Sequence, residues 1–463
     1  ATVSRCGMVF VEPFYLDGGW SPVAKSTVAN LAKTLQGKPF RAERVLELLD
    51  KLVPPTLEFI RRKCKEYIPS VDAQLVVSLL QLLHGYVVHV EEEEETEADP
   101  TAEADALLDE FKRPQVTAKS VPPDARKLFD MQFVMSFIWS FGANIADVSR
   151  PAFNEFALPL LAEHFAFMPT DTTKSVFDLC IHKPSLSFLT WDYFVPDFTY
   201  NRKLPYFDLI VPTVETTSMK SIMALLAGVS RHTLVNGVTG TGKTVVIADL
   251  ISTTLKADNP TAKWEYFATA FSAQTRSMDL QERIESKLTK VKSNLLGAAP
   301  GKRAMFFIDD LNMPALERYG ASPPIELLRQ IITQGGCYER KKIPSYFKEI
   351  QDLVVFAACG IPGGGRNELT PRLTSQFHLL CEPVVTTSSM RRIFSLILGG
   401  FLSIWPDDVR QLTSKIVEAA RQCYERISKE KLPTPSKSHY TFNLRDFGKV
   451  FQGMLQADVS ASK

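Results

Sequence analysis

The stretch Gly237-Val238-Thr239-Gly240-Thr241-Gly242-Lys243-Thr244 decides how the rest of this chain is read. It matches G-x-x-x-x-G-K-[ST] at every fixed position, follows the apolar run Leu234-Val235 and precedes an apolar-periodic segment, Val245 to Leu255. That strand–loop–helix context is what a phosphate-binding loop requires. The glycines let the backbone wrap an anion with its N–H groups pointing inward, and the helix N-terminus adds a favourable dipole. In this pattern the Lys243 ammonium reaches the β- and γ-phosphates and the Thr244 hydroxyl ligates Mg²⁺. The predicted cofactors are therefore ATP or ADP with Mg²⁺.

A second acidic element has to complement such a loop. Met305-Phe-Phe-Ile308 is an apolar run that delivers Asp309 and Asp310 to its end. Ligands in open α/β sheets sit at the carboxyl ends of strands. Asp309 is thus a Mg²⁺ partner through water. Asp310 stands where many ATPases carry the Glu that activates the attacking water, and its carboxylate falls short by about 1.5 Å, one C–C bond. A misplacement of ~1 Å can cost ~10²-fold in rate, so slow hydrolysis is expected. The next buried run, Leu353 to Gly360, ends in glycine where ring ATPases carry a polar sensor. Asn367, after Gly363-Gly-Gly-Arg366, substitutes only if its loop folds back. Arg372 precedes the last apolar run, where a guanidinium can reach a neighbour's γ-phosphate; a surface salt bridge is the plainer alternative.

Working outward, the short apolar runs at 233–237, 266–271, 304–310, 353–360 and 377–381 alternate with helical stretches. This predicts a parallel sheet covered on both faces. Cys337–Arg340 and Phe347–Ile350 are placed to pair as a hairpin. Upstream, residues 20–90 and 125–168 read as helical, with Phe129, Phe133, Phe137 and Phe141 forming one buried face. Between these segments, 91–110 holds eleven Asp or Glu and no Lys or Arg. Such a block is expected to be a solvated insertion or, more sharply, a dock for a basic partner. A connector rich in Pro and aromatics spans about 185–212.

Composition bounds the function. At about 150 residues per domain, 463 residues make roughly three units. A 45% hydrophobic, 23% charged chain with net charge +1 is neither disordered, collagenous nor a coiled-coil rod, and gives no reason to invoke nucleic acid or a membrane surface. No run reaches the ~18 apolar residues of a membrane span. Seven cysteines without a CxxC pair point to a reducing compartment. With no initiator Met and no signal peptide at its start, the chain is expected to be a piece of a longer protein.

Long strings of this sequence resemble dynein heavy chains, most of all the axonemal group. Residues 1–10 resemble the close of a second AAA+ module core, and Phe137-Ile-Trp-Ser-Phe-Gly142 its small helical domain. Val211-Pro-Thr-Val214, the phosphate loop, Phe271-Ser-Ala-Gln-Thr275, Phe307-Ile-Asp-Asp-Leu-Asn-Met-Pro314, Pro323-Pro-Ile-Glu-Leu-Leu-Arg-Gln330 and Gly363-Gly-Gly-Arg-Asn367 resemble a third module in order. Tyr440-Thr-Phe-Asn-Leu-Arg445-Asp-Phe resembles that module's lid. The resemblance implies an α/β fold, a P-loop AAA+ parallel-sheet core with helical lids. It divides the chain into the end of the second core (1–19), the second small domain (20–184), the third large domain (185–385) and the third small domain (386–463).

The resemblance also implies roles. Arg5 falls where the second module presents an arginine finger to the first module's nucleotide. Arg372 falls at the corresponding place facing the second module's nucleotide, and Arg445 at the sensor-two position of the lid. Asp310 and Gly360 depart from the active members' Glu and Asn. The implied function is a nucleotide-gated regulatory module, mainly binding rather than hydrolysing, in a minus-end-directed microtubule motor of the ciliary axoneme. Its implied partners are neighbouring AAA+ modules of the same chain, microtubules through a stalk, and intermediate and light chains through a tail, with no nucleic acid and no membrane. The implied location is cytoplasm and cytoskeleton, in the cilium or flagellum. A free-standing AAA+ remodelling ATPase and a structural ring spacer with a vestigial loop are the alternatives.

Overall fold

A computed structural model describes residues 19–96, 125–169, 174–255, 263–340, 343–434, 436–437 and 440–457. Among the described residues the first α-helices are α1 (Ser21–Thr34), α2 (Ala42–Lys63), α3 (Asp72–Thr96), α4 (Ala125–Phe137) and α5 (Arg150–His164). Helix α2 buries Val45, Leu48, Leu49, Leu52 and Val53, the i, i+3, i+4 spacing of one helical stripe. It runs through Pro54 and Pro55, which supply no N–H, and the buried Thr56 hydroxyl donates to Leu52 O at 2.6 Å. The four phenylalanines from Phe129 to Phe141 are all buried, as expected, and their neighbours are buried with them. Every residue from Met131 to Phe137 is buried, so the second half of α4 is enclosed on all sides while its first turn is exposed. The acidic run departs from expectation. Its first residues, 91–96, extend α3, in keeping with the good helix propensity of Glu; the remainder, 97–110, lies outside the described residues.

After a small hairpin, β1 (Leu179–His182) with β2 (Ser187–Thr190), the connector leads into α6 (Val214–Gly228). Thr213 caps α6 by accepting from Thr216 N at 3.3 Å. The α/β core then runs β3 (Thr233–Gly237), α7 (Lys243–Asp249), β4 (Trp264–Ala270), α8 (Ser277–Lys287), β5 (Thr289–Lys292), β6 (Leu295–Gly297), β7 (Arg303–Asp309), α9 (Pro323–Gln334), β8 (Gly336–Tyr338), β9 (Phe347–Ile350), β10 (Leu353–Gly360), α10 (Pro371–Thr374) and β11 (His378–Cys381). The main sheet has the order β11-β3-β10-β7-β4 with every pair parallel. All five expected strands are present, shifted by up to two residues at their ends. Beyond Asp249, α7 continues as a π-helical turn, Leu250–Thr254.

Alternation along the strands builds two cores. Met305 and Phe307 of β7, with Val354, Phe356 and Ala358 of β10, join the five N-terminal helices, α6 and α7. Phe306 and Ile308, with Val355 and Ala357, face α8 and α9. The expected hairpin exists as β8 against β9, inside a second sheet ordered β5-β6-β9-β8 whose β5 and β6 were not anticipated. The described residues after β11 form α11 (Thr387–Leu402), α12 (Asp407–Arg410), α13 (Thr413–Glu430) and α14 (Leu444–Met454). Their own core centres on Phe394, Phe447 and Phe451, with ring centroids 4.5–5.2 Å apart. The connector lies against α11, where Arg202 Nη2 donates to Phe401 O at 2.6 Å and Arg392 Nε donates to Pro212 O at 3.0 Å.

Candidate functional site

The carboxyl ends of β3, β7 and β10 converge on one cleft of about 250 Å³, closed on its far side by α11 and α14. The loop after β3 turns through Gly237, Gly240 and Gly242, all at positive φ (147°, 86° and 119°). At Gly240 a side chain is excluded by more than conformation. A Cβ there would lie 2.8 Å from Asn443, the N-cap of α14. The loop apex therefore touches the helical cap directly.

Lys243 opens α7 and turns back over the loop, its Nζ donating to Val238 O at 2.6 Å and Gly237 O at 3.2 Å. Burial pulls its ammonium below the ordinary value, Glu382 opposes that, and the like charge of Arg366 adds to it. One residue on, Thr244 Oγ1 donates to Asp309 Oδ2 at 2.9 Å. Asp309 Oδ1 accepts from Asp310 N at 2.9 Å, which fixes the carboxylate's orientation. The hydroxyl and carboxylate expected to share a cation are thus brought together. Asp310 adopts φ 51°, a left-handed conformation that Asp tolerates better than most residues. Its Oδ1 lies 3.5 Å from Arg366 Nη2.

Arg445, in the first turn of α14, lines the same cleft from the helical side and is exposed. Arg372 does not line it; it is exposed on α10, with no ion pair among the described residues. Arg5 lies outside the described residues. Asn367 does not stand in for the missing sensor at Gly360. Its Nδ2 donates to Pro314 O at 2.6 Å and its N to Asn312 O at 2.8 Å, so it is held as a loop anchor. The residue that turns back over Gly360 is its neighbour Arg366.

Three further features escaped the sequence reading. Glu382, just past β11, is 5% exposed and lies beneath the loop, accepting from Thr241 Oγ1 at 3.0 Å. Burial pushes its carboxyl up to about 7, against the opposing pull of Lys243 and of the Thr241 hydrogen bond. Asp309 is an acid at the end of an apolar strand, and the same rule points to Glu382, which follows Leu379-Leu380-Cys381. The second feature is Arg366. The third is an apolar wall in which Tyr206, Phe207 and Leu209 of the connector face Ile393, Phe394 and Leu444 of the helical cap. Burial pushes the Tyr206 hydroxyl up to about 12. The cleft is thus polar and glycine-lined at one end and apolar at the other, which suits a nucleotide. Among the described residues no group of three His, Cys, Asp or Glu could hold a metal by itself. Mg²⁺ in phosphate loops needs no such cage, since phosphate and water supply most ligands, and the Thr244–Asp309 pair fits that arrangement.

Comparison with known proteins identifies the family. Residues 198–384 match the family model for the P-loop containing dynein motor region, 45–193 that for the dynein heavy chain AAA lid domain, and 416–463 that for the AAA+ lid domain. The chain belongs to the dynein heavy chain family. It is 38% identical to human dynein axonemal heavy chain 6 and 36% identical to mouse dynein axonemal heavy chain 1. Identity to the Chlamydomonas reinhardtii dynein-1-beta heavy chain of the flagellar inner arm I1 complex is 33%. Each comparison covers 99% of this chain but only 10–11% of the relative. The chain therefore spans about a tenth of the length of the dynein heavy chains it matches. Among the described residues no helix is long and apolar enough to cross a membrane.

Proposed function

We propose that this dynein segment binds ATP or ADP with Mg²⁺ and acts as a regulatory module of an axonemal motor. The observation that carries this reading is the Thr244–Asp309 contact of 2.9 Å at the mouth of a complete phosphate loop. Residues 237–244 cradle the phosphates, Thr244 and Asp309 hold the metal, and Lys243 exchanges its loop carbonyls for phosphate oxygens. Tyr206, Leu209, Ile393 and Leu444 enclose the base, and Arg445 approaches from the helical side. Mg²⁺, when bound, neutralises charge on the phosphate oxygens. Asp310 is too short to serve as an efficient base and already faces Arg366, so turnover at this site is slow.

In the domain division we propose, 1–19 closes a second module's core, 20–184 is its small domain, 185–385 the third module's large domain and 386–463 its lid. Arg5 and Arg372 then act as fingers on nucleotides held by preceding modules. The whole motor would couple such modules to minus-end-directed movement on microtubules in the ciliary axoneme, through a stalk, and to intermediate and light chains through a tail. The test is a fluorescent-nucleotide titration of this chain. Lys243→Ala removes a charge-assisted contact worth roughly 1.5–3 kcal/mol, or about 10–100-fold in affinity. Unchanged affinity would contradict the reading.

A further inference from the structure

Position 360 is occupied without being substituted. Gly360 ends β10 and is paired in register with Gly237, the first residue of the phosphate loop. A Cβ on Gly360 would fall 2.5 Å from Arg366 Nε and 2.6 Å from its Cδ. The arginine side chain therefore fills the space that any larger residue at 360 would claim. The loop between them returns the chain through Gly363, Gly364 and Gly365, all at positive φ (114°, 59° and 90°). Gly363 N donates to Arg366 O at 2.9 Å and Arg366 N to Gly363 O at 3.1 Å, closing a tight hairpin-like turn. Three residues in a row that only glycine adopts readily deliver one cation to one place.

That cation is incompletely satisfied. Arg366 Nε is buried with no hydrogen-bond partner, and Nη2 reaches Asp310 Oδ1 only at 3.5 Å. Its side chain lines the cleft together with Lys243, Thr244 and Asp309. A buried N–H without a partner costs free energy, which an anionic oxygen arriving in the cleft would recover. A guanidinium is permanently charged and forked, suited to phosphate oxygens.

We propose that Arg366 is the sensor of the terminal phosphate at this site, supplied from within the chain in place of a polar side chain at 360. The proposal rests on the nucleotide-site reading above. Arg366 links Asp310 to the triphosphate, so the site distinguishes ATP from ADP even where turnover is slow. Glycine at 360 is then a requirement of the arrangement, because it makes room for the arginine.

The experiment is photolabelling of the full-length heavy chain with an 8-azido-adenine nucleotide. The site is identified by mass spectrometry of the peptides carrying Tyr206 and Ile393, and labelling is competed with ADP or AMP-PNP. Arg366→Ala is expected to weaken AMP-PNP competition at least 10-fold while ADP competition stays within about 3-fold. Gly360→Ala, which displaces the arginine, is expected to do the same, and to add nothing once Arg366 is already Ala. Arg366→Lys, which keeps the charge without the fork, should recover part of the difference. Equal losses for both competitors, no loss for either, or additive effects of the two substitutions would overturn the proposal. Absence of labelling in the unsubstituted chain would overturn the nucleotide site itself, a separate result, and the sensor with it.

Discussion

Glu382 shows how much a single buried carboxylate can contribute at the residue scale. Its carboxyl titrates near 7 in the folded chain against an ordinary value of 4.5, so folding favours the protonated form. The stability it confers is complete below about pH 4.5 and is lost as pH rises through 7. A shift of that size corresponds to roughly 3 kcal/mol. Glu382→Gln keeps a partner for Thr241 and removes the titration. It should flatten the pH dependence of urea unfolding between pH 4.5 and 7 and leave the variant more stable than the parent at pH 8. An unchanged slope would contradict the assignment. Asp310→Glu restores the length of a general base, though Glu accepts the left-handed backbone there less readily than Asp. With the other hydrolytic sites of the full motor disabled, its residual ATPase should rise; a fast parental rate that the substitution leaves unchanged would speak against slow turnover. The loop and the Asp309–Asp310 pair were legible because each is a short pattern with fixed spacing. Arg366 was not, because its role depends on a void at Gly360 that exists only after the glycine turn folds.

Elements were legible where burial imposes a pattern. β3, β7, β10 and β11 are buried along nearly their whole length because both faces of the sheet are covered, whereas β4, at the sheet edge, is buried only in part. Strand β5 is Thr-Lys-Val-Lys with all four residues exposed, so no apolar signal marks it. The enclosure of α4 over 131–137 was hidden for the opposite reason, since a segment buried on every side shows no contrasting polar face. Contacts between elements were illegible altogether. Asn144, fully buried, donates to Glu66 Oε1 and Ile68 O and accepts from Asn236 Nδ2 at 2.9 Å, tying the N-terminal helices to β3. At the other end, Asn443 caps α14 by accepting from Arg445 N at 2.8 Å and packs on Gly240. Asn443→Ala should cost about 1 kcal/mol in the stability of the helical cap. The same substitution should speed amide exchange in 238–242, measured by hydrogen exchange; protection unchanged in that loop would show that cap and loop are independent.

At the scale of the described residues, one sheet edge is clamped and a cleft lies between the sheet domain and the C-terminal helices. Gln74 Nε2 donates to Thr374 O and Phe377 O, His378 Nε2 to Trp139 O, and Arg150 Nη2 to Cys381 O, so β11 and the turn before it are fastened to the N-terminal helices. The C-terminal helices α11–α14 have their own core and meet the sheet domain at the cleft. A ligand there bridges the two, and this is the physical basis for proposing that nucleotide state governs how stiffly the module transmits motion. Saturation at 100 times Kd would stabilise the bridged form by about 2.7 kcal/mol. The most direct measurement is a high-resolution cryo-EM reconstruction of the full-length motor at saturating Mg²⁺-nucleotide. The account predicts density for a base between Tyr206 and Leu444 and for phosphates along Gly237–Thr244, with Arg366 turned toward the terminal phosphate only in the ATP-like state. An empty cleft at saturation, with Lys243 still on the carbonyls of Gly237 and Val238, would contradict it.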